Sequence, residues 1–217
     1  MSCQKSKFQY FPIRARNVFP TLIATYGGIE MNVESVSDWG TLKPTTPFLQ
    51  LPLLTLEDGT VISQSMTIVR YLAREANLEG EGKDYIINSM VVESTNDIYD
   101  LLSAAKNKIF WEDITAAYDK IFTEEGRSSV IQQLNCLEKL KSDSDYFGSK
   151  VLIGDLTLFS VLFTIELDLF EKEERKFDLL DKFPKVNKWY GNLKSDEKVQ
   201  KWIKEISSNF TYFKYKE

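Results

Sequence analysis

No histidine occurs among the 217 residues of this chain. Its absence removes Ser-His-Asp triads, imidazole general bases and nearly all zinc-site patterns. The two cysteines, Cys3 and Cys136, stand alone, so neither a CxxC redox pair nor a disulfide framework is available. Chemistry is therefore left to tyrosine, serine, arginine, lysine, carboxylates or a bound cofactor. One stretch, Leu51 to Ser65 (LPLLTLEDGTVISQS), brings binding groups close together. Pro52 sets a tight turn and cannot donate into a sheet. Asp58-Gly59 marks a hairpin between Leu53–Leu56 and Thr60–Ile62. Ser63-Gln64-Ser65 then enters a helix, with a hydroxyl placed to cap its first amides. Amides and hydroxyls gathered at a helix N-terminus suit a carboxylate.

The elements around this stretch follow from hydrophobic periodicity. Lys7 to Phe11 reads as a strand ended by Pro12. Val18, Phe19, Leu22, Ile23 and Tyr26 have helical spacing, and Gly27-Gly28 stops that helix. Pro20 is tolerated only in a first turn, so the helix starts near Arg16 or Asn17. Met31 to Val36 alternates as a second strand, whereas Ser37 to Phe48 reads as a surface loop. After the hairpin, Met66, Ile68, Val69, Leu72, Ala73 and Ala76 form an amphipathic helix. The order βαβ, hairpin, helix describes a small α/β sheet with a parallel pair and an antiparallel extension.

The polar break Glu79–Lys83 separates this domain, residues 1–79, from a helical one, residues 84–217. Ile86-Ile87, Met90-Val91, Ser94, Ile98, Leu101-Leu102 and Ala105 mark the inner face of a long helix. Further helices are expected around Ile114–Phe122, Val130–Leu140, Phe183–Leu193 and Ser195–Ile206. The segment LFSVLFTIELDLF, apolar on most faces, is expected to be the buried central helix.

Composition bounds the partners. Hydrophobic content of 43% and charged content of 27% fit an ordinary globular chain. A formal charge of −5 argues against nucleic acid as a partner. No segment is apolar enough to suggest a membrane span, and MSCQKSKFQYF lacks the apolar run of a signal peptide, so a cytoplasmic protein is expected.

Several local motifs then line up. They are Tyr10-Phe11 ending strand one, Arg14 and Arg16 behind it, and Asp38-Trp39 with Lys43. Pro47-Phe48-Leu49-Gln50-Leu51-Pro52 follows, and then Gln64-Ser65 before Ile68-Val69-Arg70-Tyr71-Leu72. In this order the chain resembles a cytosolic glutathione transferase of the tyrosine type, close to the sigma class, over nearly its whole length. The resemblance implies an α/β thioredoxin-like N-terminal domain, an all-α C-terminal domain, glutathione as co-substrate and a homodimer. It assigns Tyr10 as the catalytic tyrosine, its phenol donating a hydrogen bond to the glutathione sulfur, with Arg16 in support. Trp39, Lys43, Gln50, Leu51, cis Pro52, Gln64 and Ser65 would hold the tripeptide, and Asp97 (or Asp100) would reach the partner subunit's ligand. Phe11, Arg16, Leu101, Ala105 and Tyr212 would line the electrophile pocket. Ala15 stands where the family commonly has glycine, Gln50 where sigma-like relatives often carry lysine, and Ser160, three residues after Thr157, where the family's cap box at the start of the buried helix has aspartate.

The energetics agree with such a role. A thiol of pKa near 8.5 is only about 3% ionised at pH 7. Lowering that pKa by about two units takes about 2.7 kcal/mol, and a hydrogen bond to a charged acceptor supplies roughly 1.5–3 kcal/mol. The expected function is conjugation of glutathione to small hydrophobic electrophiles, a detoxification chemistry. The alternatives are a glutathione-dependent prostaglandin-type isomerase or peroxidase, or a non-catalytic glutathione-binding or structural protein on the same fold.

Overall fold

The computed structural model describes residues 5–109, 122, 129–171, 174 and 176–210. The chain divides into two compact units. One is the chain up to Glu79 together with the last helix, and the other is Gly80–Lys194.

In the first unit the strands are β1 (Ser6–Tyr10), β2 (Met31–Ser35), β3 (Leu53–Thr55) and β4 (Val61–Ser63). They form one sheet in the order β2-β1-β3-β4. β1 and β2 are parallel, with Phe8 opposite Val33 and Tyr10 opposite Ser35. β3 is antiparallel to both β1 and β4. The hairpin closes at Gly59, whose φ of 86° only glycine adopts cheaply, and Asp58 Oδ1 accepts from Thr60 N at 2.8 Å. Helix α1 (Val18–Gly27) follows a 3₁₀ turn over Ala15–Asn17. Pro20 lies in its first turn, where the missing N–H has no intrahelical partner to lose. Gly28, at φ 70°, ends it.

The supposed surface loop after β2 contains a short helix, α2 (Trp39–Leu42), with Asp38 Oδ1 accepting from Thr41 N at 3.1 Å. This Asp cap holds a single turn that is too short to show a hydrophobic period. Helix α3 (Ser65–Glu75) buries Ile68, Val69, Leu72 and Ala73, as its spacing required.

The second unit contains α4 (Gly82–Ile109), α5 (Val130–Leu140), α6 (Ile153–Ile165) and α7 (Pro184–Lys194). The helix expected over Ile114–Phe122 falls almost entirely outside the described residues. On α4 the buried face is rotated from the expected one. Asn88, Val91, Val92, Thr95, Ile98 and Leu102 are inside, whereas Tyr85, Ile86 and Met90 are 51%, 58% and 46% exposed. Asn88 goes inside because it is satisfied there. Its Nδ2 donates to Asp84 O at 3.0 Å, and its Oδ1 accepts from Gly154 N at 3.0 Å.

Helix α6 is buried throughout, as expected, but it starts earlier than the Thr157 cap implied. Thr157 and Ser160 hydroxyls donate back to Ile153 O and Thr157 O inside the helix. The capping carboxylate is Asp155, which accepts from Leu152 N at 3.1 Å, Phe147 N at 2.9 Å and Trp189 Nε1 at 2.8 Å. Beyond Ile165 the chain continues as a π-helical stretch, Glu166–Glu171. Glu166 there takes the Tyr190 hydroxyl at 2.6 Å and Lys194 Nζ at 2.7 Å.

The last helix, α8 (Glu197–Asn209), belongs with the first unit, where the second domain had been expected to run on to residue 217. Its buried face, Val199, Trp202 and Ile206, packs on α1, and Trp202 Nε1 donates to Thr21 Oγ1 at 3.0 Å. Once Trp202 is buried its N–H needs an acceptor, and α1 supplies it. Among the described residues, no helix is long and apolar enough to cross a membrane.

Candidate functional site

Tyr10 is the last residue of β1, so its side chain stands where the strand opens into the Phe11–Arg16 connection. It is only 8% exposed. Its phenolic oxygen accepts from the backbone N–H of Arg16 at 3.4 Å. Burial pushes the phenol above its ordinary pKa, and the Arg16 N–H and guanidinium offset part of that rise. At neutral pH the group is therefore protonated, an O–H donor whose oxygen is already held by an N–H. The Arg16 guanidinium also donates to Ser65 Oγ at 3.2 Å. One arginine thus ties the end of β1 to the start of α3.

Two aromatic contacts extend this corner. Phe11 meets Tyr10 at 5.7 Å between ring centroids and Trp39 edge-on at 5.8 Å. Trp39 is half-buried at the start of α2, and Lys43, exposed, follows that helix. The Leu51-Pro52 bond is cis, as expected. It delivers the chain to β3, whose ladder begins at Leu53, so Leu51 precedes the paired residues. Gln50 and Gln64 meet across the turn, with Gln64 Nε2 donating to Gln50 Oε1 at 3.4 Å.

At α3 the structure corrects the expected hydroxyl cap. Gln64, not a serine, occupies the N-cap, with φ 70° and ψ 119°, and no side chain caps the helix. Ser65 is the first helical residue and turns its hydroxyl to Arg16. Among the described residues the leading amides of α3 have no side-chain acceptor, and Gln64 holds a backbone conformation that costs of order 1–3 kcal/mol. A carboxylate seated there would gain both the amides and the helix dipole.

Tyr10, Phe11, Arg16, Trp39, Lys43, Gln50, Leu51, Pro52, Gln64 and Ser65 all belong to the first unit. Asp97, Leu101 and Ala105 lie on α4 in the second, with Asp97 exposed and Leu101 half-buried. Asp100, the rival of Asp97, takes Asn96 Nδ2 at 3.3 Å. The side chain of Ala105, and Tyr212 altogether, lie outside the described residues. Two features escaped sequence reasoning. Arg14 donates to Phe210 O at 2.7 Å, a contact spanning 196 positions with no local signal. Ala15 has φ 31°, a left-handed backbone that favours the glycine it replaces.

Known proteins share this architecture. The family described as "Glutathione S-transferase, C-terminal domain" matches residues 115–192. "Glutathione S-transferase 2" of Manduca sexta is 31% identical over 190 residues, 85% of this chain and 88% of that one. "Hematopoietic prostaglandin D synthase" of Gallus gallus is 28% identical over 183 residues, 83% and 85% of the two chains. Among solved structures, a Fasciola hepatica sigma class GST superposes with a TM-score of 0.74 at 26% identity, covering 93% of this chain and 96% of that one. The sheet order, the helical second unit and these relatives agree on a thioredoxin-like domain joined to a helical one, and on glutathione as co-substrate. The chain belongs to the glutathione transferase family.

Proposed function

We propose that Tyr10 activates glutathione by donating its phenolic hydrogen to the sulfur, and that the resulting thiolate attacks small hydrophobic electrophiles. The observation that carries this reading is the Tyr10 hydroxyl itself. It is buried and protonated, with its oxygen anchored on Arg16 N–H and its acidity held down by burial. Such a group stabilises an anion without giving up its proton, so the step is charge stabilisation and not general-base catalysis. Arg16 adds positive charge beside the same oxygen. The uncapped start of α3, with Gln64 and Ser65, takes the γ-glutamyl carboxylate. Leu51, ahead of the β3 ladder, pairs through its backbone with the cysteinyl part of the tripeptide. Trp39 and Lys43 hold the glycine end. The family resemblance assigns Phe11, Arg16, Leu101, Ala105 and Tyr212 to the electrophile pocket, and Asp97 to the partner's ligand.

The active form in this reading is a homodimer, supported by large apolar side chains left in water: Phe48 at 61% exposure and, on α4, Tyr85, Ile86 and Met90. The free, exposed thiol of Cys136 suits a reducing, cytoplasmic setting.

The substitution Tyr10→Phe tests the mechanism. Retention on immobilised glutathione should survive, while conjugation of 1-chloro-2,4-dinitrobenzene at pH 7 falls roughly tenfold or more, in step with the lost thiolate fraction. An unchanged rate would remove Tyr10 from the mechanism. The similarity to the Gallus gallus prostaglandin D synthase favours a second reading, in which the same thiolate serves isomerisation or peroxide reduction. Product analysis after incubation with an endoperoxide and with an organic hydroperoxide separates the two.

A further inference from the structure

Helix α2 carries Trp39 but has little to hold it in place. It is 4 residues long, Trp39–Leu42, and buries none of them. A single turn does not persist on helix propensity alone. The Asp38 cap, accepting from Thr41 N at 3.1 Å, is a bond within the turn and does not fix where the turn lies. The Trp39 indole is half-buried. Among the described residues its N–H has no acceptor. Its one aromatic neighbour there is Phe11, met edge-on at 5.8 Å with 81° between the ring planes.

Phe11 is placed to supply the missing anchor. It follows the last residue of β1, and the backbone on both sides of its side chain is held. Tyr10 O accepts from Val36 N at 2.8 Å, and Phe11 O accepts from Ile13 N at 2.7 Å in a tight turn. The Phe11 ring also meets Tyr10 at 5.7 Å, tilted by 59°. Both ring contacts fall in the range of about 4.5–7 Å at which tilted and edge-on pairs attract beyond their area burial. Phe11 thus stands between the phenol of β1 and the indole of α2.

We infer that Phe11 is a positioning residue for glutathione, holding the Trp39 indole ready to donate its N–H to the glycine end of the tripeptide. The inference rests on the proposed assignment of Trp39 to that end, and it gives Phe11 a duty separate from the electrophile pocket. An indole that is already fixed loses less rotamer freedom when the ligand arrives. An edge-on contact sets the plane of the ring as well as its place, and so the direction of its lone donor. Loss of one such contact corresponds to roughly two- to tenfold in glutathione affinity. The loss is confined to the glycine end, because Trp39 is assigned no other part of the ligand.

Phe11→Leu and Phe11→Ile remove the ring and keep apolar bulk at a half-buried position, whereas Phe11→Tyr keeps the ring. Phe11→Leu is also combined with Trp39→Ala in a double-mutant cycle. Calorimetric titration of the full-length proteins gives dissociation constants for glutathione and for γ-glutamylcysteine, the same thiol without its glycine. Urea unfolding checks that each variant is folded. Both ring-free variants should bind glutathione roughly two- to tenfold more weakly, and Phe11→Tyr should recover most of that loss. The penalty should vanish for γ-glutamylcysteine and in the Trp39→Ala background. A wall of the electrophile pocket, or general support of the fold, predicts no difference between the two thiols. Three results would overturn the inference: unchanged glutathione affinity in the ring-free variants, an equal penalty for both thiols, or the same penalty with and without Trp39. Unchanged glutathione affinity in Trp39→Ala alone is a separate failure, which removes Trp39 from the glycine end and the inference with it.

Discussion

Lowering the pH from 7 to 5 should stabilise this protein, and Asp155→Asn should abolish the gain. Asp155 is fully buried, and burial pushes its carboxyl up from 3.8 to about 6, against the pull of its N–H donors and of Lys141. A folded-state value above the unfolded one means that the folded state binds the proton more tightly. The stabilisation is complete below about pH 3.8 and is lost as pH rises through about 6. A rise of about two units corresponds to about 3 kcal/mol in all. About 1.3 kcal/mol of that is recovered between pH 7 and pH 5. For a chain of this size that moves the urea midpoint by about 0.5 M. The window is unusually clean, because a chain without histidine has no side chain of ordinary pKa that titrates there. Urea unfolding of parent and variant at fixed protein concentration, at half-unit pH steps, reads the effect. The variant should be less stable at pH 7 by about 1–3 kcal/mol, since an amide cannot serve all three N–H donors. Its stability should be flat from pH 5 to 7. Parallel curves for the two proteins would refute the reasoning and show that the donors keep Asp155 ionised.

Arg16→Ala keeps the backbone N–H on Tyr10 but removes the guanidinium. It should lower kcat/KM for conjugation roughly three- to tenfold and raise the thiol pKa of bound glutathione, with Arg16→Lys recovering part of both. An unshifted thiol pKa would deny the guanidinium its electrostatic role. Ala15→Gly relieves a left-handed backbone costing about 1–2 kcal/mol and returns about 0.4–1 kcal/mol of unfolded-state entropy, so thermal melting should rise slightly or hold. A clear fall would mean that the Ala15 methyl packs productively. Gly154→Ala would set a Cβ 2.6 Å from Asn88 Oδ1 and 2.9 Å from Asn88 O, which should lower stability by about 1–3 kcal/mol in urea unfolding. An unchanged midpoint would mean that α4 and α6 separate easily.

Much of the α/β unit was legible because its signals are local. Alternation in Met31–Val36, the Asp58-Gly59 turn and the 3.6-residue period of α3 each lie within a dozen residues. The candidate site was legible for a related reason: Tyr10, Trp39, Leu51-Pro52 and Gln64-Ser65 lie in short runs whose order carried the family resemblance. Where reading failed, the deciding contact came from far along the chain. Ile86 and Met90 looked like core by spacing, but Asn88 was drawn inside by Gly154, 66 positions away. Thr157 looked like a cap, but the start of α6 is held by Asp155, whose donors include Trp189 34 positions on.

The sequence by itself determined the chemistry available. With no histidine, and with a tyrosine at the end of the first strand, the proposed thiol activation rests on a phenol and a nearby cation. Tertiary structure alone decided how those groups are held. It buried Tyr10 and kept its proton, set Arg16 between Tyr10 and Ser65, and left the start of α3 without a side-chain cap. It also packed the last helix on α1 of the first unit. Side-chain types are read from a string of letters. Burial and hydrogen-bond partners, which set protonation and orientation, arise only when distant segments exclude water together.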